Sequence, residues 1–153
     1  MNDAAPRPAM GCTRRAAIAM AVGLVFASGR AMSQAPAVNE PDRRWYEAAA
    51  SMKRLAESWG DQSYGAVLVL DGQLAGEGPS RVVKNRDATA HAEREAIRDA
   101  QRRLGRASLA GAVLYSTSRP CALCEAAAAQ AGVRRMYFGP ALADGGTPRA
   151  GHP

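Results

Sequence analysis

The spacing of apolar residues along the chain predicts its elements. Between residues 42 and 59 they recur at Trp45, Ala48, Ala49, Met52, Leu55, Ala56 and Trp59, the three-and-four rhythm that collects side chains on one side of a helix. Pro41-Asp42 opens this helix and Gly60 closes it. A continuous apolar run over residues 65–70 then meets Asp71-Gly72 and a second run over residues 73–77, and Asp-Gly between two such runs predicts a tight hairpin. Residues 78–88 read as a strand end and a loop. A helix follows from near Ala90 to about Arg103, with Ala92, Ala96 and Ala100 on one line and Leu104-Gly105 as its stop. Residues 112–116 read as a buried strand, 121–131 as an alanine-rich helix and 133–138 as another strand; residues 139–153, rich in Gly and Pro, read as a loose tail. Strands that alternate with helices imply parallel pairing through right-handed crossovers, hence an α/β class.

Composition narrows the picture. With 153 residues, 47% hydrophobic and 22% charged, the chain has the balance of a single soluble domain. No apolar run is long enough for a multi-span membrane protein. The front end stands apart: Arg14-Arg15 precedes an alanine-rich apolar stretch over residues 16–27, and small residues continue to Ala35-Pro36-Ala37. Residues 1–37 therefore read as a twin-arginine export signal, which would place the mature domain, residues 38–139 with a flexible tail at 140–153, in the periplasm. The stretch is too short and too rich in small residues for a comfortable membrane span, and Cys12 precedes it, where a lipidated cysteine would have to follow. If the front end is no signal, the protein is cytoplasmic.

The formal charge of +6 invites nucleic acid as a partner. Arg7, Arg14, Arg15, Arg30 and Asp3 all lie in the front segment, however, and without them 16 basic side chains face 13 acidic ones. Much of the remainder is one row, Arg94, Arg98, Arg102, Arg103 and Arg106, at helical spacing, where Glu95 can pair with Arg98 and Asp99 with Arg103. That row reads as a solvated helix flank, with a phosphate-binding patch as the alternative. Trp45 and Trp59 read as packing, and Tyr64, entering a strand, as core or pocket wall. Gly76-Glu77-Gly78 lacks the Lys-Ser/Thr of a phosphate loop. Three cysteines are too few for a disulfide framework.

The chemistry lies in two strings, His91-Ala92-Glu93 and Pro120-Cys121-Ala122-Leu123-Cys124. Outside the front segment the soft-to-borderline metal ligands are His91, Cys121 and Cys124, with His152 in the tail. Two thiolates and one imidazole make a tetrahedral zinc site with a fourth position left for water, the catalytic arrangement; a structural site would close with a fourth side chain. Cys121 and Cys124 at i and i+3 on a helix's first turn point the same way, and the helix dipole there favours thiolate. Pro120 suits a helix entry. Glu93, two residues from His91, cannot easily share the ion with it, but it can reach the water and move protons.

These strings resemble the signature of the zinc-dependent cytidine/deoxycytidylate deaminase superfamily, an H-x-E followed by P-C-x-x-C. The longer string Asp87-Ala88-Thr89-Ala90-His91-Ala92-Glu93 is similar to the branch that holds tRNA adenosine deaminases, bacterial guanine deaminases and yeast-type cytosine deaminases. The similarity runs from Trp45 to Gly139, including Gly60-Asp61-Gln62 and Tyr64-Gly65-Ala66-Val67. The resemblance implies a three-layer α/β/α fold around a central mixed sheet, and one zinc ion on His91, Cys121 and Cys124. Glu93 would be the acid/base, and the Ala92 N–H would lie near the reacting ring. It implies release of ammonia from a guanine-, adenine- or cytosine-type base or nucleoside, in a homodimer; a free base or nucleoside fits the expected export better than nucleic acid does. Editing of adenosine in tRNA is one alternative, and a zinc-holding binding module without turnover is another. Two departures bear on substrate: Arg119 stands where relatives usually carry an acid, and Ser80 where many carry a base-binding Asn. Ser80 can still donate or accept, without the bidentate geometry of an amide. The end after Phe138 also lacks the terminal helix that helps close the pocket in relatives.

Overall fold

The computed structural model describes residues 42–151; the expected export signal at residues 1–37 and His152 lie outside them. Helix α1 (Arg43–Ser58) starts where Asp42 accepts the Arg44 N–H at 2.9 Å, the capping role expected of Asp before a helix. Strands β1 (Gly65–Leu70) and β2 (Gln73–Pro79) form the predicted hairpin, with φ of 51° at Asp71 and 72° at Gly72, positive at both central residues as a type I′ turn requires. A one-turn helix, α2 (Val82–Asn85), leads to α3 (Ala92–Leu104); β3 (Val113–Ser116), α4 (Ala122–Ala131), β4 (Arg135–Phe138) and β5 (Ala143–Gly146) complete the order.

The five strands lie in the order β2-β1-β3-β4-β5. β3 and β4 pair in parallel, as the alternation with α4 predicts, whereas β1 is antiparallel to both β2 and β3. The sheet is therefore mixed. Alternation along β1 sorts the core into two layers: Val67 and Val69 join Ala49, Tyr115 and Tyr137 against α1, while Ala66, Leu68 and Leu70 face the layer of Ala96, Ala100, Ala128 and Ala131 from α3 and α4. That is the three-layer α/β/α architecture.

Alanine on α3 meets glycine on β2. A Cβ built on Gly78 would fall 2.0 Å from the Ala92 carbonyl, and one on Gly76 2.3 Å from that of Ala96, so these glycines let α3 lie directly on the sheet. The first turn of α3 is thereby set at the end of β2.

The tail expected after Phe138 is corrected. Residues 143–146 add an antiparallel edge strand to β4, Arg135 grips Asp144, Pro148 is buried, and the Arg149 N–H bonds Glu125 on α4 at 3.1 Å. The segment escaped a periodicity argument because Ala-Asp-Gly-Gly offers almost no apolar side chain; its pairing rests on backbone hydrogen bonds. The short α2, inside the expected loop, escaped for a similar reason, since a single turn has no face to repeat. Among the described residues no helix is long and apolar enough to cross a membrane.

Candidate metal centre

Each candidate ligand sits at the start of a helix. His91 and Cys121 are the N-cap residues of α3 and α4, both in extended backbone conformation, one position before the first turns expected from sequence, and Cys124 lies inside the first turn of α4. The segment entering His91 is fixed from several sides. Asp87 accepts the Thr89 N–H at 2.8 Å, which holds its carboxyl below the usual range, and the Arg81 N–H reaches the Ala90 carbonyl at 3.0 Å. Glu95, buried, takes Arg98 at 2.7 Å and Arg81 at 3.5 Å, tying this loop to α3.

The three ligands converge. His91 Nδ1 lies 3.6 Å from Cys121 Sγ and 3.4 Å from Cys124 Sγ, and all three ligand atoms fall within 4.8 Å of one another. Zinc bonds of about 2.0 Å to nitrogen and 2.3 Å to sulfur, at a tetrahedral angle, require an N···S separation of about 3.5 Å. The donor set therefore fits zinc. Cys121 is exposed and Cys124 buried, so one sulfur lies at the cleft and the other behind it. Burial above all, then the charge of Glu93 and the neighbouring Cys121, push the Cys124 thiol far above its ordinary range. A cation held by the three ligands would favour the thiolate that this burial opposes.

Glu93 is 5% exposed, and its Oε1 accepts the Ser116 hydroxyl at 2.8 Å. A cleft of about 240 Å³ opens over it, lined by Gln62, Tyr64, His91, Ala92, Glu93, Ser118, Arg119 and Cys121. Gln62, Tyr64 and His91 also border, with Ser63, a wider and more open depression beside this cleft. As the first residue of α3, Ala92 carries an N–H that its own helix cannot satisfy. Tyr64, 46% exposed, is a wall of the cleft and not core. Arg119 extends along the rim with its guanidinium 5.9 Å from the Phe138 ring.

Ser80 stands elsewhere. It is fully buried, its hydroxyl donates to Asp61 at 2.9 Å, and it is not among the residues that line the cleft. Its geometry is that of a brace. Of the two tryptophans, Trp45 packs against the α1 layer, while Trp59 caps α1 beneath Lys84 and Arg81 at 3.5 and 4.9 Å. The arginine row on α3 largely pairs with Glu77, Asp87, Glu95 and Asp99, including both expected pairs. Gln62, Ser116 and Ser118 are the residues that sequence reasoning missed. Ser116 ends a strand beside a parallel neighbour, where open α/β sheets gather their ligands, but the run Ser116-Thr117-Ser118 gives the sequence no means of singling it out.

Fold and site together define a class. Residues 39–140 match the family model of the cytidine and deoxycytidylate deaminase zinc-binding region, and the chain belongs to that family. A tRNA-specific adenosine deaminase of Agrobacterium fabrum is 45% identical over 87 residues, 57% of each chain, and a guanine deaminase of Bacillus subtilis is 39% identical over 75 residues, 49% of this chain and 48% of that one. The chain thus spans about half the length of these curated relatives. Among solved structures, one from a study of A-to-I editing by tRNA:A34 deaminases aligns with TM-score 0.62 at 41% identity, covering 64% of this chain and 71% of the other. The X-ray structure of the Bacillus subtilis guanine deaminase aligns with TM-score 0.61 at 31% identity over 65% and 64%.

Proposed function

We propose that this domain is a hydrolytic deaminase that releases ammonia from a nucleobase or nucleoside. The observation that carries the reading is the buried carboxylate of Glu93 facing the same cleft as the converging His91, Cys121 and Cys124. When bound by those three side chains, zinc supplies the Lewis acidity that makes water nucleophilic near neutral pH. Glu93 orients the attacking water and takes a proton from it as its oxygen adds to the carbon bearing the amine. It returns that proton to the ring nitrogen, then carries the proton of the newly added hydroxyl to the amine, and the C–N bond breaks to give a carbonyl and ammonia. The Ala92 N–H steadies the ring, and Tyr64 walls it. A screen of zinc-loaded protein for ammonia release from guanine, adenine, cytosine and their nucleosides tests this. Binding of one of them without release would instead indicate a zinc-holding binding module.

A second reading, adenosine in tRNA as substrate, is favoured by the similarity to tRNA-specific adenosine deaminases. Inosine formation in a transcript of a tRNA anticodon arm tests it. The balanced arginine row and the twin-arginine front end favour the small substrate and export. Fusing residues 1–40 to a reporter that is active only after folded export distinguishes the two, since failure to export supports the cytoplasmic, RNA-acting enzyme. We also propose a homodimer, which sedimentation at micromolar concentration checks.

A further inference from the structure

Ser116 ends β3 and is 1% exposed. Its hydroxyl oxygen lies 2.8 Å from Glu93 Oε1 and 2.7 Å from the Ser118 carbonyl oxygen, with the Ser118 N–H at 3.4 Å. We propose that Ser116 is the positioning residue for Glu93. It fixes one oxygen of that carboxylate against the turn that leads into Cys121, so the proton-carrying group and a metal ligand share one anchor. This rests on the deaminase reading above.

The strand end is itself rigid. Ser116 pairs with Ala66 on one side and Phe138 on the other, and its carbonyl accepts the Gly139 N–H at 3.0 Å. Its neighbour Thr117 is turned to a different partner, its hydroxyl accepting the Gly65 N–H at 3.1 Å at the start of β1. Glu93 hangs from the first turn of α3 by a flexible side chain, and a proton carrier must stay within hydrogen-bond reach of the reacting atoms. Misplacement of such a group by 1 Å can cost ~10²-fold in rate. The one hydroxyl proton of Ser116 lies between Glu93 Oε1 and the Ser118 carbonyl, so the serine holds the carboxylate at a fixed distance from that turn.

The test compares Ser116→Thr with Ser116→Val, side chains of nearly one shape that differ by a hydroxyl. In zinc-loaded protein, Ser116→Val is expected to lower kcat roughly 10- to 100-fold with KM within about threefold and zinc content unchanged, while Ser116→Thr keeps kcat within about threefold. Equal rates in the two variants overturn the proposal. Thermal unfolding supplies a readout independent of turnover: the fall in midpoint caused by Ser116→Val should shrink by about half or more when Glu93→Ala is already present. Equal falls in both backgrounds overturn it as well. If Ser116→Val fails to fold, Ser116→Ala replaces it in both measurements. A wild-type protein that deaminates nothing defeats the deaminase reading, and the unfolding cycle still decides the Ser116–Glu93 pairing.

Discussion

Ser80 is held at both ends by the loop that follows α1: its hydroxyl donates to Asp61 Oδ1 at 2.9 Å, and its N–H reaches the Tyr64 carbonyl at 3.1 Å. The same carboxylate accepts the N–H groups of Lys84 at 2.8 Å and Gln62 at 2.7 Å. Asp61 thus joins the loop bearing Gln62 and Tyr64, two walls of the cleft, to the end of β2 and to α2. Replacing Ser80 with Ala removes one donor and is expected to raise KM severalfold with a smaller change in kcat, because the wall loosens while the metal centre is untouched. Steady-state kinetics on the substrate found in the ammonia screen checks this; a kcat effect with unaltered KM contradicts it.

Acid should release the same brace. Desolvation alone would raise the Asp61 carboxyl, but the hydrogen bonds from Lys84, Gln62, Ser80 and Val83 outweigh it and hold the group below its ordinary value of 3.8. The folded pKa is depressed, so the stabilisation is present above the unfolded value and disappears as pH falls through the folded one. Thermal midpoints of wild type and Asp61→Asn, compared from pH 7 downward, should differ at neutral pH and converge below about pH 4. A gap that persists into strong acid would mean that the carboxylate charge is irrelevant.

Glu93→Ala should keep its zinc and lose turnover by ~10²-fold or more, the usual loss when a general acid/base is removed. Metal analysis beside an ammonia assay reads both quantities, and loss of zinc would assign Glu93 to the ligand set instead.

Removing the metal should destabilise the fold, because Cys124 is buried beside a carboxylate and a cation compensates that crowding. Chelation should lower the thermal midpoint, and titrated zinc should raise it, by about 4 kcal/mol in stability at 1,000-fold excess over Kd. His91→Ala should abolish the zinc-dependent part of this rise.

Gly78→Ala forces a methyl group into the Ala92 carbonyl and should cost at least about 1–3 kcal/mol in urea unfolding, as overpacking does. Gly105→Ala, where nothing lies within 4 Å but φ is +63°, isolates the backbone cost and serves as its comparison.

Much of this was legible in the residues. The Ala92, Ala96 and Ala100 line predicted the face that α3 buries, and Asp71-Gly72 predicted the hairpin, because both depend on local spacing and backbone sterics. His91, Cys121 and Cys124 were legible because few side chains bind zinc and their helix-start positions are punctuated by Pro120 and a change in periodicity. Ser80 and Ser116 were not. Each is a small hydroxyl whose role depends on a partner 19 or 23 residues away, Asp61 or Glu93, and no periodicity reports such a pairing. Strand β5 was invisible because glycine and aspartate contribute backbone where a pattern needs side chains.

The alanine–glycine seam between α3 and β2 sets the terms on which this scaffold can be remodelled. Residues on the rim, such as Gln62, Tyr64 and Arg119, lie outside the regular helices and strands and line the cleft without joining the seam. The seam has no slack: a side chain at Gly76 or Gly78 would meet the backbone of Ala92 and Ala96 on α3, the helix that His91 caps. Libraries aimed at new specificities should therefore hold Gly76, Gly78, Ala92 and Ala96 constant and vary only the rim.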